Sequence, residues 1–117
     1  MKKIVIIISM IMMLLTILSC SENYKRHYQL GKWYYDKGLT NEAILEFKAA
    51  AKSKPDNYEA HSSLAIAYTK KEWYDYALKE AEIAFDLHPS DDNYNLIQVI
   101  KQKRMLGQIE AVETPQQ

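Results

Sequence analysis

The chain has 117 residues, 48% of them hydrophobic, with 15 basic and 15 acidic side chains. That length holds one small domain. The composition excludes a disordered chain, and the balanced charge gives no electrostatic reason to bind nucleic acid.

Lys2 and Lys3 precede an apolar run of 15 residues, Ile4 to Leu18, which ends at Ser19 and Cys20. A basic start, an apolar stretch of about 7–15 residues and a small residue before the cut describe a secretory signal. The run is short for a bilayer span of about 20 residues. Residues 1–19 are therefore read as a signal peptide. Cleavage before Cys20 removes two lysines, leaving 13 basic against 15 acidic side chains.

Cys20 is the only cysteine and has no partner for an internal disulfide. The run Ile17-Leu18-Ser19 before it resembles the lipobox of bacterial lipoproteins, with Ile17 where Leu is usual and Leu18 where a smaller residue is usual. The resemblance implies lipidation of Cys20 and anchoring in the bacterial cell envelope by two or three acyl chains, enough for stable attachment. Ser21 stands where an aspartate retains some Gram-negative lipoproteins at the inner membrane, so the outer membrane is favoured. Residues 20–23 then form a short linker that, fully extended, reaches about 10 Å past the lipid surface.

The first helix is expected from Tyr24 to Lys37, with His27, Leu30 and Tyr34 on one buried stripe, and Gly38 as its stop. Thr40 is the expected N-cap of a second helix, Asn41 to Ser53, burying Ala43, Ile44, Phe47, Ala50 and Ala51. Pro55 disfavours helix at Lys54, and Pro55-Asp56-Asn57 reads as a turn. A third helix from Tyr58 to Lys71 turns His61, Leu64, Ala65 and Tyr68 inward. After a turn at Glu72 and Trp73, a fourth helix from Tyr74 to His88 does the same with Ala77, Leu78, Ala81, Ala84 and Phe85. Pro89-Ser90-Asp91 closes it.

These four helices are two copies of one pattern. Pro55 and Pro89 lie 34 residues apart, and at that offset His27 matches His61, Leu30 matches Leu64, Gly31 matches Ala65, Tyr34 matches Tyr68, Ala43 matches Ala77 and Ala50 matches Ala84. A 34-residue period with this order of large, small, Tyr, Ala, Ala and Pro resembles the tetratricopeptide repeat. The expected fold class is all-α, an α-solenoid of two helix-turn-helix units, residues 24–57 and 58–91, closed by a capping helix over 92–106. The small residues Gly31, Ala43, Ala65 and Ala77 sit where paired helices approach most closely, and an enlarged side chain there costs about 1–3 kcal/mol. His27 and His61 occupy slots where the family usually has Trp, and Ala81 is smaller than usual, which together imply a slightly underfilled second unit.

A fifth helix, Asn93 to Leu106, starts after Asp91 and Asp92. Leu96, Val99, Ile100 and Lys103 are expected on its packed side. Gln98 and Gln102 stand where a third repeat needs Leu and Tyr, so it is read as a cap. Residues 107–117 are polar, contain Pro115 and read as a flexible tail. Two units and a cap fall below the three usually needed to bury enough surface, which points to marginal stability or to self-association through an exposed end.

The resemblance also implies a function. Family members bind extended or helical peptides in a concave groove. The matching positions are Lys25, Tyr28, Lys32 and Tyr35 in the first unit and Glu59, Ser62, Ile66 and Thr69 in the second. In the cap they are Asn93, Leu96, Ile100 and Lys103. Rigid aromatics beside cations suit such contacts; a solvated face is the alternative reading. The groove lacks the Asn, Lys and Arg set with which some members clamp a C-terminal carboxylate. The expected function is a membrane-anchored adaptor for a protein or peptide near the lipid surface, with neither catalysis nor cofactor. The alternative is a structural subunit of an envelope assembly that makes contact through the ends of the solenoid.

Chemistry has little support. His27 and His61 lie in register but fill packing slots, and no HExxH, paired cysteines or third ligand accompanies them. His88 sits at a helix C-terminus, favourably for the dipole. No acid orients the serines near His61 into a triad. Three glycines in all leave no phosphate loop.

Overall fold

The computed structural model describes residues 1–113, which form five α-helices: α1 Lys2–Asp36, α2 Thr40–Ser53, α3 Tyr58–Lys70, α4 Tyr74–Leu87 and α5 Asp91–Glu113. Neither proline nor glycine occurs before Gly31, so no residue interrupts α1 between the apolar run and the first repeat. The helix passes straight through residues 20–23, which the sequence reading set apart as an extended linker. By length and composition the whole helix could cross a membrane, and its most apolar window is not buried at all; packing begins at Tyr24.

The turns within the two units are built alike. Gly38 takes a left-handed φ of 77°, while Leu39 N–H donates to Tyr34 O at 2.9 Å and Gly38 N–H to Tyr35 O at 3.0 Å. This is the Schellman closure of a helix C-terminus. In the second unit Trp73 N–H donates to Tyr68 O and Glu72 N–H to Thr69 O, both at 3.0 Å. Glu72 holds φ 62° in the slot that glycine fills at Gly38, an arrangement unfavourable for a side chain by about 1–2 kcal/mol.

The prolines act as the sequence indicates. Lys54 before Pro55 has φ −141° and ψ 79°, and His88 before Pro89 has φ −144° and ψ 86°. Both lie outside helical space, as a residue before proline should. Tyr24 and Tyr58, at matching positions, each receive the side chain of that pre-proline residue: Lys54 Nζ lies 5.8 Å from the Tyr24 ring centroid, and the His88 ring stacks on Tyr58 at 4.3 Å. Thr40 does not cap α2. It is the first helical residue and is buried, with Leu39 preceding it and no side-chain cap, because the Schellman turn delivers the chain directly into the next helix.

Within each unit the two helices pack on each other, α1 on α2 and α3 on α4; α2 joins the units, and α5 lies on α4. The core runs through Ala43, Ile44, Phe47, Leu64, Ala65, Tyr68, Ala77, Ala81, Ile97 and Ile100. Alanines 43, 50, 65, 77 and 84 are fully buried. A Cβ added to Gly31 would come within 2.6 Å of the Phe47 ring, closer than packed carbon atoms tolerate. Gly31 and Phe47 in the first unit correspond to Ala65 and Ala81 in the second. The missing ring at residue 81 is the change that leaves room for a methyl group at residue 65.

Three expectations are corrected. Leu30 is 38% exposed whereas Leu64 is 3% exposed, because Leu64 is enclosed by the core between the units and no unit precedes Leu30. In α5, Ile97 is buried and Val99 is exposed, while Ile100 is buried and Leu96 packs on the core as expected, which turns the packed face toward Ile97 by less than a quarter turn. The helix also continues through residues 107–113, expected to be part of a flexible tail. A single glycine costs a helix interior only about 1 kcal/mol. Gly107 faces the Tyr74 ring, which would lie 3.7 Å from an added Cβ, and Arg104 pairs with Asp75 at 3.1 Å one turn earlier. Residues 114–117, the rest of that tail, lie outside the described residues.

Candidate partner-binding groove

The period of 3.6 residues brings Lys25, Tyr28, Lys32 and Tyr35 onto one side of α1. Tyr28, Lys32 and Tyr35 meet Ile66 of α3 around a cleft of about 140 Å³, which Asp36, Phe47 and Ser63 complete. Phe47 forms its apolar floor and is itself 2% exposed. Tyr28 is held between Tyr24, stacked at 5.6 Å, and Phe47, tilted at 6.0 Å. Its hydroxyl accepts from Ser63 Oγ at 3.4 Å, linking the two units. Lys32 Nζ lies 5.8 Å from the Tyr28 centroid, and Lys70 Nζ lies 4.8 Å from that of Tyr35, both within cation–π range.

The other expected groove residues do not line this cleft. Lys25 is exposed one turn before Tyr28. Glu59 Oε2 accepts from the Tyr24 hydroxyl at 3.5 Å. Ser62 Oγ donates to Glu59 O at 3.1 Å, and Thr69 Oγ1 to Ala65 O at 2.7 Å; both hydroxyls are thereby turned onto their own helix. In α5, Asn93 is buried and its Nδ2 donates to Ala84 O at 3.3 Å and His88 O at 2.8 Å, satisfying the end of α4. Ile100 is fully buried. Lys103 borders a second, wider cleft of about 1330 Å³, where Tyr68, Trp73 and Tyr76 face Arg104 and Leu106.

The histidines are explained by partners that the repeat pattern alone does not disclose. His27 Nδ1 lies 2.6 Å from Glu46 Oε2, and His61 Nδ1 lies 2.7 Å from Glu80 Oε2. His61 Nε2 lies 2.9 Å from the Pro55 carbonyl oxygen. Each imidazole therefore ties the first helix of its unit to the second, in the slot a tryptophan would fill. Glutamates 46 and 80 are separated by the same 34 residues as the histidines, a match that reads as a solvated position until the fold brings the pairs together.

Two tyrosines show the polarity of the interior. Burial pushes the Tyr24 phenol well above its usual range, with Glu59 adding repulsion of the ionised form. Its hydroxyl donates to Asn57 Oδ1 at 2.9 Å. Burial raises Tyr68 as well, reinforced by Glu80.

Residues 31–71 match the family model of the TPR repeat. The matched stretch begins at Gly31, crosses α2 and ends at the C-cap of α3, so it spans the junction between the two units. Over it the chain is a tetratricopeptide repeat, and the helix-turn-helix packing throughout is that of an all-α solenoid. Such a module is an interaction repeat. None of the curated proteins matches the chain.

Proposed function

We propose that the protein is a non-catalytic adaptor of the bacterial cell envelope, held to a membrane by lipidated Cys20, that binds a protein or peptide through the groove between α1 and α3. The observation that carries this reading is the cleft at Tyr28, Tyr35 and Ile66, which two repeat units build jointly and leave open. Rigid aromatic side chains beside lysines are the usual anchors of a binding surface. The exposed apolar N-terminal segment and the run Ile17-Leu18-Ser19-Cys20 support the anchor. Anchoring there would keep the groove close to the lipid surface, because Tyr28 follows Cys20 by only eight residues.

The test is photocrosslinking in cells from a benzophenone amino acid placed at Ile66, which lines the cleft and is exposed, followed by mass spectrometry. A defined crosslinked protein that disappears in the Tyr28→Ala/Tyr35→Ala variant is the expected result; unchanged capture in that variant sinks the groove reading. The same spectra report whether Cys20 carries acyl chains. A second reading, contact through the ends of the solenoid, is favoured by the exposure of Leu30 and Trp33 on α1. Leu30→Glu/Trp33→Glu would then abolish capture while the tyrosine variant would not.

A further inference from the structure

Resting on the groove reading, we propose that its occupant is an acidic peptide segment carrying one aromatic or branched aliphatic side chain. The cleft volume of about 140 Å³ is close to the ~150 Å³ cavity that accommodates a benzene ring. It therefore accepts one such side chain, against Tyr28, Phe47 and Ile66. The rim is cationic. Lys32 and Lys70 stand over Tyr28 and Tyr35, and neither takes part in an ion pair among the described residues. With Lys25 they place three ammonium groups along the groove against the carboxylates of Asp36 and Glu59. Residues 20–117 as a whole have the opposite balance, 13 basic against 15 acidic side chains. Carboxylates flanking the seated side chain would supply the counter-ions that the two lysines lack. The tyrosine faces already fix the ammonium positions, which lowers the cost of ordering them on binding.

The experiment pans a phage-displayed library of random heptapeptides against the full chain in detergent micelles. The strongest sequence is then synthesised with a fluorophore, alongside a counterpart in which every Asp and Glu is replaced by Lys. Fluorescence anisotropy measures both. Enrichment of Asp or Glu beside a Phe, Leu or Ile is expected, with affinity at least tenfold lower for the lysine counterpart. Lys32→Glu/Lys70→Glu should cost the acidic peptide at least tenfold, while Asp36→Asn leaves its affinity unchanged or raises it. Both lysines are exposed, and circular dichroism checks that the charge-reversal variant keeps its helices. Enrichment of neutral or basic sequences, no enrichment, or a smaller loss on charge reversal overturns the acidic occupant. None of these results touches the groove reading itself, which stands or falls with the crosslinks from Ile66 and their loss in the Tyr28→Ala/Tyr35→Ala variant.

Discussion

His61 Nδ1 lies 2.7 Å from Glu80 Oε2, and His27 repeats the contact with Glu46 at 2.6 Å. Both members of the second pair are better covered: side-chain exposure is 11% and 19% for His61 and Glu80, against 24% for each of His27 and Glu46. A hydrogen bond to a charged group contributes about 1.5–3 kcal/mol, and loss of one buried partner leaves the other unsatisfied. Glu80→Ala should therefore destabilise the protein by about 2 kcal/mol, and Glu46→Ala by roughly half as much. In a double-mutant cycle by urea unfolding, the His61/Glu80 coupling should exceed that of His27/Glu46. Vanishing couplings would show that the imidazoles act through packing alone, and equal ones that the difference in burial has no effect.

Gly31 and Phe47 form a size-complementary pair, since an added Cβ would sit 2.6 Å from two ring carbons. Gly31→Ala should cost about 1–3 kcal/mol by overpacking. Phe47→Ala should cost about 3–5 kcal/mol through the cavity it opens. The double variant reproduces the Ala65 and Ala81 combination of the second unit, so its loss should fall short of the sum by at least 1 kcal/mol. Strict additivity in the denaturation midpoints would mean that the ring moves aside freely and the glycine is not required by it.

The parts of this fold legible in the sequence are those fixed by contacts inside one unit. Gly31, the buried alanines, Tyr34, Tyr68 and the two prolines recur because each unit closes on itself in the same way. Leu30 and Leu64 share a slot and differ in burial because exposure depends on whether a unit precedes, which periodicity does not encode. The expected flexible tail begins at Gly107, yet α5 runs on through it, since contacts with Tyr74 and the Arg104–Asp75 pair outweigh a small propensity cost. In the groove, Tyr28, Lys32, Tyr35 and Ile66, which the resemblance to the repeat family singles out, line one cleft. Ser62 and Thr69 were not separable from them, because a hydroxyl bonded to its own helix looks the same in sequence as one offered to a ligand.

Tyr24 and Tyr68 both hold their phenol protons more tightly when folded. An unfolded tyrosine titrates near pH 10. Below that pH both states keep the proton and the full contribution to stability is present. Above it the unfolded chain releases protons that the folded chain retains, so stability falls as pH rises. Urea midpoints should decline from about pH 10 upward. Tyr24→Phe and Tyr68→Phe should each flatten that decline, whatever they do to stability at pH 8. An unaltered slope in both variants would assign the alkaline loss to the lysines.

Asn23 precedes Asn57 by 34 residues, and Asn57 caps α3: its Oδ1 accepts from Glu59 N–H at 2.9 Å and Ala60 N–H at 3.4 Å. In the full chain Asn23 lies inside α1, where its Oδ1 accepts from Arg26 Nη2 at 3.2 Å. Cleavage before Cys20 would leave only three residues between the new terminus and Tyr24, too few to continue the helix securely. The backbone N–H groups of residues 25 and 26 would then need an acceptor, and Asn23 stands in the position to supply it. Asn23→Ala should destabilise a chain starting at Cys20 by about 1 kcal/mol, the usual cost of losing such a cap. In the uncleaved chain the same substitution should be neutral or slightly stabilising, because alanine is the better residue in a helix interior. Chemical denaturation of the two forms side by side decides the matter. An equal effect in both would mean that the first repeat does not begin at Tyr24 and that the match between Asn23 and Asn57 has no structural role.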